Sequence, residues 1–515
     1  MNHVNPPPFI RALFAPVCYD HAVAQVRLIE THISWVLLTG DYAYKIKKPV
    51  NLGFLDFSTL ALRRQACLDE VRLNRRLAPE LYLGVASITG SSNTPHVSLR
   101  PDMIGSEPSE PFEYAVKMRQ FPSGATLDHL DERGELCGVQ VDQLAARLAK
   151  FHFGECQSAA PDSLWGEPDA IAQPVKDNFR LLAEHLPSPS EIRLLEKLRD
   201  WSFAEHERLA PLMRERKRDG LIRECHGDLH LGNLAWVNSE LLIFDCIEFS
   251  PALRWIDVIS EVAFCFMDLL HRQHTGLAMR FLNAWLEAGG DYAGVALLRY
   301  YAVYRAMVRA KVAALRAGQT GDEDTESKSA EVGAYLQLAE RLAQEVPVQL
   351  CITHGFSGSG KTTLTQSLLE KQGMIRLRSD VERKRLAGLD ALARSGNEIG
   401  GGLYTQEAGR RTYAHLGGLS ERLLEAGWPV MVDAAFLERG QRDLFRKIAQ
   451  QHEIPFHILD IQIDHATLRE RIALRASKGK DASEADLRVL QHQIETTLPL
   501  DVDELPDVTV IKSPD

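Results

Sequence analysis

Two carboxylates and one amide at close spacing are the first groups in this 515-residue chain that could do chemistry. Asp228 and Asn233 lie in the segment 226–233 (HGDLHLGN), and Asp245 ends the apolar run 241–244. Magnesium prefers oxygen ligands of this kind, and a carboxylate can also take a proton from a hydroxyl group. The pattern predicts a metal-dependent phosphoryl transfer in which Asp228 orients or deprotonates the acceptor. Asn233 and Asp245 are then the expected magnesium ligands.

A glycine-rich segment, 355–363 (GFSGSGKTT), is the second candidate for chemistry. Its glycines allow consecutive backbone N–H groups to converge on phosphate oxygens, and the helix that follows directs its N-terminus at them. Lys361 is placed to reach the β- and γ-phosphates, and Thr362 is placed to hold magnesium. The segment is a complete Walker A phosphate loop and predicts binding of ATP with magnesium. The expected nucleotide-binding residues are Gly355, Ser357, Gly358, Ser359, Gly360, Lys361, Thr362 and Thr363.

Acids and arginines downstream of this loop complete the second candidate site. Asp380 follows the next predicted strand and is the candidate general base. Asp433 ends a further predicted strand and is expected to hold magnesium directly or through water. Arg471 and Arg475, on one predicted helix, are candidate lid residues that stabilise the migrating phosphoryl group. Structural alternatives stay open, because Asp380 could cap a helix and the arginines could lie on a solvated helix face.

The elements that must position these residues differ between the two halves of the chain. Up to residue 345, short strands and one helix precede a mostly helical region, which predicts a small β-rich lobe followed by a larger α-rich lobe. From residue 346, short apolar runs alternate with helical segments, which is typical of a parallel sheet with ligands at the carboxyl ends of its strands. We therefore predict two domains, 1–345 and 346–515, with a boundary near Val346.

The segment 226–233 and the pair 244–245 resemble the catalytic loop and metal-binding acid of the aminoglycoside phosphotransferase and choline kinase superfamily. This resemblance implies an α+β, bilobal protein kinase-like fold over most of the first domain. It also implies a strand lysine that pairs with a helix glutamate. Lys45 and Lys47 are candidates on one strand face, of which we prefer Lys45 as the nucleotide-binding lysine, and Glu70 is its expected partner.

The segments 355–363, 379–380 and 471–486, together with Asp433, resemble the predicted-kinase branch of P-loop proteins. That branch also holds polynucleotide kinase, chloramphenicol phosphotransferase and zeta-type toxins. The resemblance implies an α/β P-loop kinase domain with a parallel five-stranded sheet. The order of the two domains resembles a group of bacterial proteins that join an aminoglycoside phosphotransferase-like domain to a P-loop kinase domain. No acceptor substrate follows from that architecture.

Composition and net charge limit which partners the protein is expected to bind and in which cellular compartment it is expected to lie. The net charge of −11 argues against a general nucleic-acid-binding protein, although it leaves a local basic groove open. No apolar run approaches the roughly 18 to 20 residues that span a bilayer. The first residues lack the basic start and apolar core of a signal peptide. We expect a cytoplasmic protein that does not bind membranes.

These observations predict an ATP- and magnesium-dependent phosphotransferase with two kinase-type domains that act on hydroxyl groups of small molecules or nucleotides. One alternative is a nucleotide-binding sensor or regulatory ATPase with a degenerate kinase-like domain. Another is a nucleic-acid end kinase in the C-terminal domain, which we rank last because the chain is acidic. The sequence leaves open the acceptors, the activity of each domain, the coupling between the sites and the oligomeric state.

Overall fold

The computed structural model describes residues 6–53, 55–99, 110–186, 188–317, 325–391, 393, 403, 405–478 and 485–512. The chain divides into two compact units. The first comprises Met1–Gln140, Phe151–Asp268 and Tyr300–Arg341, and the second comprises Val141–Lys150, Leu269–Arg299 and Leu342–Asp515. These units are defined by spatial proximity, whereas the predicted domains are continuous stretches of chain. The domain boundary near Val346 stays a prediction.

The helices of the described residues have the following bounds. They are α1 Pro8–Ala12, α2 Leu60–Asn74, α3 Leu127–Glu132, α4 Gly138–Lys150, α5 Pro168–Ala183, α6 Pro189–Arg218, α7 Pro251–Arg254, α8 Val258–His271, α9 Thr275–Gly289, α10 Val295–Ala317, α11 Thr325–Ala343, α12 Lys361–Gln372, α13 Ser379–Leu386, α14 Gln406–Glu425, α15 Arg439–Gln451, α16 His465–Lys478 and α17 Leu487–Thr496. Over this described part of the chain, no helix combines the length and the apolar character needed to cross a membrane.

The strands have the following bounds. They are β1 Arg27–Glu30, β2 Ser34–Leu38, β3 Tyr42–Lys47, β4 Tyr82–Ser91, β5 Thr94–Ser98, β6 Glu113–Arg119, β7 Ile222–Glu224, β8 Leu234–Val237, β9 Glu240–Ile243, β10 Trp255–Asp257, β11 Leu350–His354, β12 Ile375–Arg378, β13 Val430–Asp433, β14 Phe456–Gln462 and β15 Val508–Lys512.

The first unit contains a six-stranded antiparallel sheet in the order β1-β2-β3-β6-β4-β5. Successive side chains of a strand point to opposite faces of the sheet. In β3, Tyr44 and Ile46 therefore pack into an apolar core on one face. Lys45 and Lys47 extend from the other face to Glu70 of α2. The alternation in this strand thus separates the core from an ion cluster.

A buried ion pair organises the helical part of the first unit. Arg216, near the end of α6, donates from Nε to Asp257 Oδ2 (2.7 Å) and from Nη2 to Oδ1 (2.7 Å). Asp257 lies in β10, which pairs with β7, and β7 leads into the segment 226–233. Asp257 Oδ1 also accepts the N–H of Ile259 (3.0 Å) at the start of α8. The pair therefore ties α6 and α8 to the strand that precedes the predicted catalytic loop.

The second unit contains a five-stranded parallel sheet in the order β12-β13-β11-β14-β15. Strands β11 and β13 are buried along almost their whole length, as expected where helices cover both faces of a parallel sheet. The carboxyl ends of the neighbouring strands β12, β13 and β11 lead to Asp380, Asp433 and Gly355 at one edge of the sheet. The predicted fold class, an α+β kinase-like domain followed by an α/β domain with a five-stranded parallel sheet, is confirmed.

We expect Arg216→Met to lower the free energy of unfolding of the first unit by about 3–5 kcal/mol, because it leaves the Asp257 carboxylate buried without its cation. Urea unfolding followed by circular dichroism measures this change. Lys197→Met is the matched control, because Lys197 is 67% exposed and pairs with Glu340 at the surface. The control is expected to change stability by less than ~1 kcal/mol. Equal effects of the two substitutions would contradict this account.

Candidate active sites

The three residues of the first predicted constellation meet at the end of β9. Asn233 Nδ2 donates to the backbone carbonyl of Asp228 (2.9 Å) and to its Oδ2 (3.2 Å). The backbone carbonyl of Asn233 accepts the N–H of Phe244 (3.0 Å), the residue before Asp245. Asp245 adopts a φ of 65° and donates its N–H to the hydroxyl of Tyr82 (3.1 Å). The oxygens of all three residues thus lie in one region of the first unit.

The two candidate lysines occupy different environments. Lys45 Nζ contacts Glu70 Oε1 (3.0 Å) and Asp245 Oδ1. Lys47 Nζ contacts Glu70 Oε2 (2.5 Å) and Glu248 Oε1, and its side chain is fully buried. Lys45 therefore joins Glu70 to the predicted metal ligand Asp245, whereas Lys47 lies behind it among carboxylates. This arrangement supports Lys45 as the residue that faces a bound nucleotide.

A residue that the sequence analysis did not assign to the site holds the predicted catalytic loop. Glu261 Oε1, on α8, accepts the N–H groups of His226 (2.5 Å) and Gly227 (2.8 Å), and Oε2 contacts His152 Nε2 (2.6 Å). Gly227 has a φ of 91°, and a Cβ there would approach the carbonyl oxygen of Leu253 to 2.7 Å. The available signal was an acid in a largely apolar helix, which also carries Asp268. Its partners are distant in sequence and could not be inferred.

His226 links this loop to the strand end that carries the predicted metal ligand Asp245. Its Nδ1 accepts the N–H of Asp228 (3.2 Å), and its Nε2 donates to the carbonyl of Phe244 (2.8 Å). Burial lowers the pKa of His226, so its imidazole stays neutral and keeps one acceptor and one donor nitrogen. The neutral ring therefore fixes the spacing between Asp228 and the strand end.

Charges around the two acids favour their ionised forms. Burial opposes ionisation of Asp228, but the neighbouring His230 and Arg309 outweigh it and hold the pKa of Asp228 below its ordinary value. For Asp245, burial again opposes ionisation, while Lys45 lowers the pKa below its ordinary value. Both groups are therefore carboxylates at neutral pH, the form that a general base or a metal ligand requires. The oxygens of Asn233 and Asp245, the predicted metal ligands, are of the kind that magnesium prefers.

The glycine loop of the second unit has the backbone conformation of a phosphate cradle. Gly355, Gly358 and Gly360 have φ values of 149°, 85° and 84°. A Cβ at Gly358 would lie 3.0 Å from Ile472 Cγ1, so glycine permits the close approach of α16. Helix α12 starts at Lys361, directly after the loop, and directs its N-terminus toward it.

The two predicted magnesium ligands of the second unit are in direct contact. Thr362 Oγ1 donates to Asp433 Oδ2 (2.8 Å). Lys361 Nζ donates to the carbonyls of Gly355 (2.9 Å) and Phe356 (2.7 Å) and therefore lies across the loop. A hydroxyl and a carboxylate beside a glycine loop fit a magnesium ion that bridges nucleotide phosphates. The residues present thus fit both ATP and magnesium.

A cavity of about 280 Å³ opens in front of this loop and gathers the predicted site residues. Its lining includes Ser357, Gly358, Gly360, Lys361, Thr362, Thr363, Arg378, Asp380, Arg383, Tyr413, Asp433, Arg471 and Gln493. Gly355 and Ser359 belong to the same loop but are not among the lining residues. The side chain of Arg475 lies outside the described residues, so its predicted role stays a prediction.

Asp380 and Arg471 both line this cavity. The N-cap position of α13 is Arg378, so Asp380 lies inside the first turn and lines the cavity. Arg471 extends from α16 to the phosphate loop. Its Nη1 lies 3.5 Å from the position that a Cβ on Gly360 would occupy. A carboxylate and a guanidinium thus share one cavity with the phosphate cradle, and their roles as base and as charge stabiliser stay proposals.

Two lining residues were missed by the sequence analysis. Gln493 Oε1, on α17, accepts the N–H of Ser357 (2.9 Å) and so contacts the phosphate loop directly. Tyr413, on α14, accepts the N–H of Phe436 (3.2 Å) through its hydroxyl, and burial raises its pKa to about 12. Neither belongs to a local motif, since each reaches the site from a helix far along the chain.

A second cavity, of about 790 Å³, adjoins the first in the same unit. The two share Arg383, Tyr413, Ala435 and Gln493. The remaining lining combines apolar residues and glycines with eight polar or charged residues, Thr405, Gln406, Arg410, Glu438, Gln441, His492, Thr496 and Thr497. The phosphate loop therefore faces a space large enough for a small molecule.

We expect Lys361→Ala to weaken binding of an ATP analogue to the second unit by ~30-fold, because it removes a cation that faces the phosphates. Calorimetric titration of the full chain that also carries Lys45→Ala isolates this unit. Lys447→Ala is the control, because Lys447 is an exposed lysine of α15 outside both cavities. Unchanged affinity in the Lys361 variant would contradict the assigned phosphate loop.

Comparisons with known proteins bear on both parts of the chain. A family model described as an AAA domain matches residues 350–500. Two curated relatives, uncharacterized proteins of Mycobacterium bovis and Mycobacterium tuberculosis, are each 29% identical to this chain over 472 residues, covering 90% of this chain and 90% of theirs. The family match confirms the P-loop part of the resemblance that the sequence motifs indicate.

Three solved structures are among those to which the fold of this chain is similar. An amicoumacin kinase bound to AMP-PNP, Ca²⁺ and its ligand is 16% identical, with 64% of this chain and 93% of that chain covered and a TM-score of 0.40. A choline/ethanolamine kinase family protein from Mesorhizobium loti is 10% identical, with 62% and 91% covered and a TM-score of 0.36. A sugar kinase from Janibacter sp. is 22% identical, with 32% and 86% covered and a TM-score of 0.25.

Proposed function

We propose that this protein is an ATP- and magnesium-dependent phosphotransferase with two kinase-type sites, each of which phosphorylates a hydroxyl group of a small molecule or nucleotide. The observation that carries the proposal is the cavity in which Lys361, Thr362 and Asp433 meet Asp380 and Arg471. Phosphoryl transfer requires groups that bind the phosphates and the metal, a general base for the acceptor hydroxyl, and a cation that stabilises the transferred group. This cavity offers a candidate for each of them.

In the second unit, bound ATP supplies the phosphoryl group and magnesium neutralises its charge. The backbone N–H groups of the glycine loop and Lys361 orient the phosphates. Asp380 holds the acceptor hydroxyl and takes its proton, and Arg471 stabilises the charge of the transferred group. Thr362 and Asp433 are the expected metal ligands.

The acceptor of the second unit is proposed to enter through the larger cavity. That cavity adjoins the phosphate loop through Arg383 and Tyr413 and carries many hydroxyl, amide and charged groups. Such a lining favours a polar acceptor with several hydrogen-bonding groups over an apolar one. The volume suits a single small molecule or nucleotide.

In the first unit, the proposal rests on the Lys45–Asp245 contact beside Asn233 and Asp228. Lys45 is proposed to bind the nucleotide phosphates, with Glu70 holding its ammonium group in place. Asp228, an ionised carboxylate next to the metal ligands, is proposed to orient the acceptor hydroxyl or to take its proton. The first unit thus supplies a separate set of groups for the same class of reaction.

The function is tested by incubating the full chain with a metabolite extract and γ-labelled ATP. We expect at least one labelled product whose formation falls by a factor of about 10²–10⁴ in either Asp228→Asn or Asp380→Asn, because each substitution removes one proposed base. Asp200→Asn is the control, because Asp200 is an exposed aspartate of α6. A product lost in only one of the two variants assigns the acceptor to that unit. Nucleotide binding without any labelled product would instead favour a nucleotide sensor.

A further inference from the structure

Helix α9 belongs to the second unit, although it precedes the segment that matches the AAA family by some distance in the chain. It covers β12, which is an edge strand of the parallel sheet. Asn283 Nδ2 donates to the carbonyl of Met374 (3.0 Å), and its Oδ1 accepts the N–H of Arg376 (2.6 Å). The Asn283 side chain thus pairs with one backbone carbonyl and one backbone N–H group at this edge of the sheet. This double hydrogen bond fixes α9 against the strand that leads to Asp380.

One turn further along α9, Glu287 pairs with two arginines of the same strand. Glu287 Oε1 accepts from Arg376 Nε (2.9 Å) and Nη2 (2.6 Å), and Oε2 accepts from Arg378 Nη1 (3.3 Å). Arg376 and Arg378 lie on one face of β12 because they are two residues apart. All three side chains are largely buried, with exposures of 15% for Glu287, 5% for Arg376 and 16% for Arg378. A buried carboxylate therefore compensates two buried cations.

Both arginines continue to the proposed magnesium site. Arg376 Nη1 donates to the carbonyl of Thr362 (3.3 Å) and contacts Thr365 Oγ1 (3.3 Å). Arg378 Nε lies 3.9 Å from Asp433 Oδ2, the oxygen that accepts from Thr362 Oγ1 (2.8 Å). A short polar chain thus connects Glu287 to both expected metal ligands of the second unit.

We propose that Glu287 is a positioning residue for magnesium and nucleotide binding in the second unit, a role that rests on the function proposed above. Arg378 lies between two carboxylates, Glu287 on one side and Asp433 on the other. Glu287 draws the guanidinium toward α9 and leaves Asp433 available to the metal. Loss of the Glu287 charge lets Arg378 pair more closely with Asp433, and that cation then competes with magnesium for the same oxygen.

The proposal predicts a specific effect of Glu287→Gln in the full chain that also carries Lys45→Ala. We expect the magnesium concentration that gives half of the maximal binding of a non-hydrolysable ATP analogue to rise ~10-fold, because the orientation and basicity of a metal ligand depend on its neighbours. Affinity for the analogue in EDTA is expected to stay within about twofold, since the glycine loop and Lys361 are unchanged. Calorimetric titrations at a series of magnesium concentrations measure both quantities.

A second substitution separates positioning from simple support of the fold. Glu287→Gln with Arg378→Gln removes the competing cation, and we expect the ratio of analogue affinity with magnesium to that in EDTA to return toward the starting value. The matched control is Asp503→Asn, because Asp503 also pairs with two arginines, Arg439 and Arg446, but lines neither cavity. The control is expected to leave the magnesium dependence unchanged.

Three outcomes decide the proposal. A Glu287→Gln variant with unchanged magnesium dependence overturns it. A shifted dependence that Arg378→Gln does not restore also overturns it, because the competition would then have no part in the effect. If the parent chain binds no nucleotide and Lys361→Ala changes nothing, the proposed function itself has failed, which is a different result from either of these.

Discussion

Both candidate sites depend on one constraint, namely that every charge withdrawn from water must find a partner of opposite sign. In the first unit, Lys45 and Lys47 share the carboxylate of Glu70, while Asp245 and Glu248 compensate the remaining charge. An isolated buried ion costs several kcal/mol, so removal of any one member leaves another uncompensated. The residues that could bind ATP and magnesium thus also neutralise one another's charges within the protein.

The second unit meets this constraint with groups from widely separated parts of the chain. Asp433 lies near Arg378, and both Arg378 and Arg376 are compensated by Glu287 of α9. Gln493 of α17, which follows the phosphate loop in the chain, accepts a hydrogen bond from the loop. The expected metal ligands therefore lie in a network whose members come from within the segment that matches the AAA family and from α9, which precedes it. Such an arrangement couples the geometry of the site to the packing of distant helices.

Two of the six non-glycine residues with positive φ in the described part of the chain lie beside the candidate sites. Asp245 has a φ of 65° and Phe436 has a φ of 50°, values that side chains other than glycine adopt infrequently. Phe436 donates its N–H to Tyr413, which lines both cavities, and Asp245 donates its N–H to Tyr82. Conformations of this kind persist where the surrounding structure holds them, and they are frequent in functional sites. The buried tyrosine hydroxyls provide part of that support here.

The sequence alone determined the phosphate loop and the 226–233 loop, because each rests on residues close together in the chain. Local periodicity predicted a β-rich lobe before an α-rich lobe and an alternating α/β region, whereas the kinase-like fold type came from resemblance. Glycines that permit positive φ and a lysine at the start of a helix act within a few residues of each other, so a linear pattern suffices to identify them. The pairing of Lys45 with Glu70 came from resemblance, and in the tertiary structure Glu70 contacts both Lys45 and Lys47. The choice of Lys45 as the nucleotide-binding lysine stays a prediction. Only the tertiary structure identified the roles of Glu261, Gln493 and Glu287, because their partners lie far away in the sequence and no local periodicity relates them. Side chains of this kind are placed by packing and charge compensation, which a linear pattern does not encode.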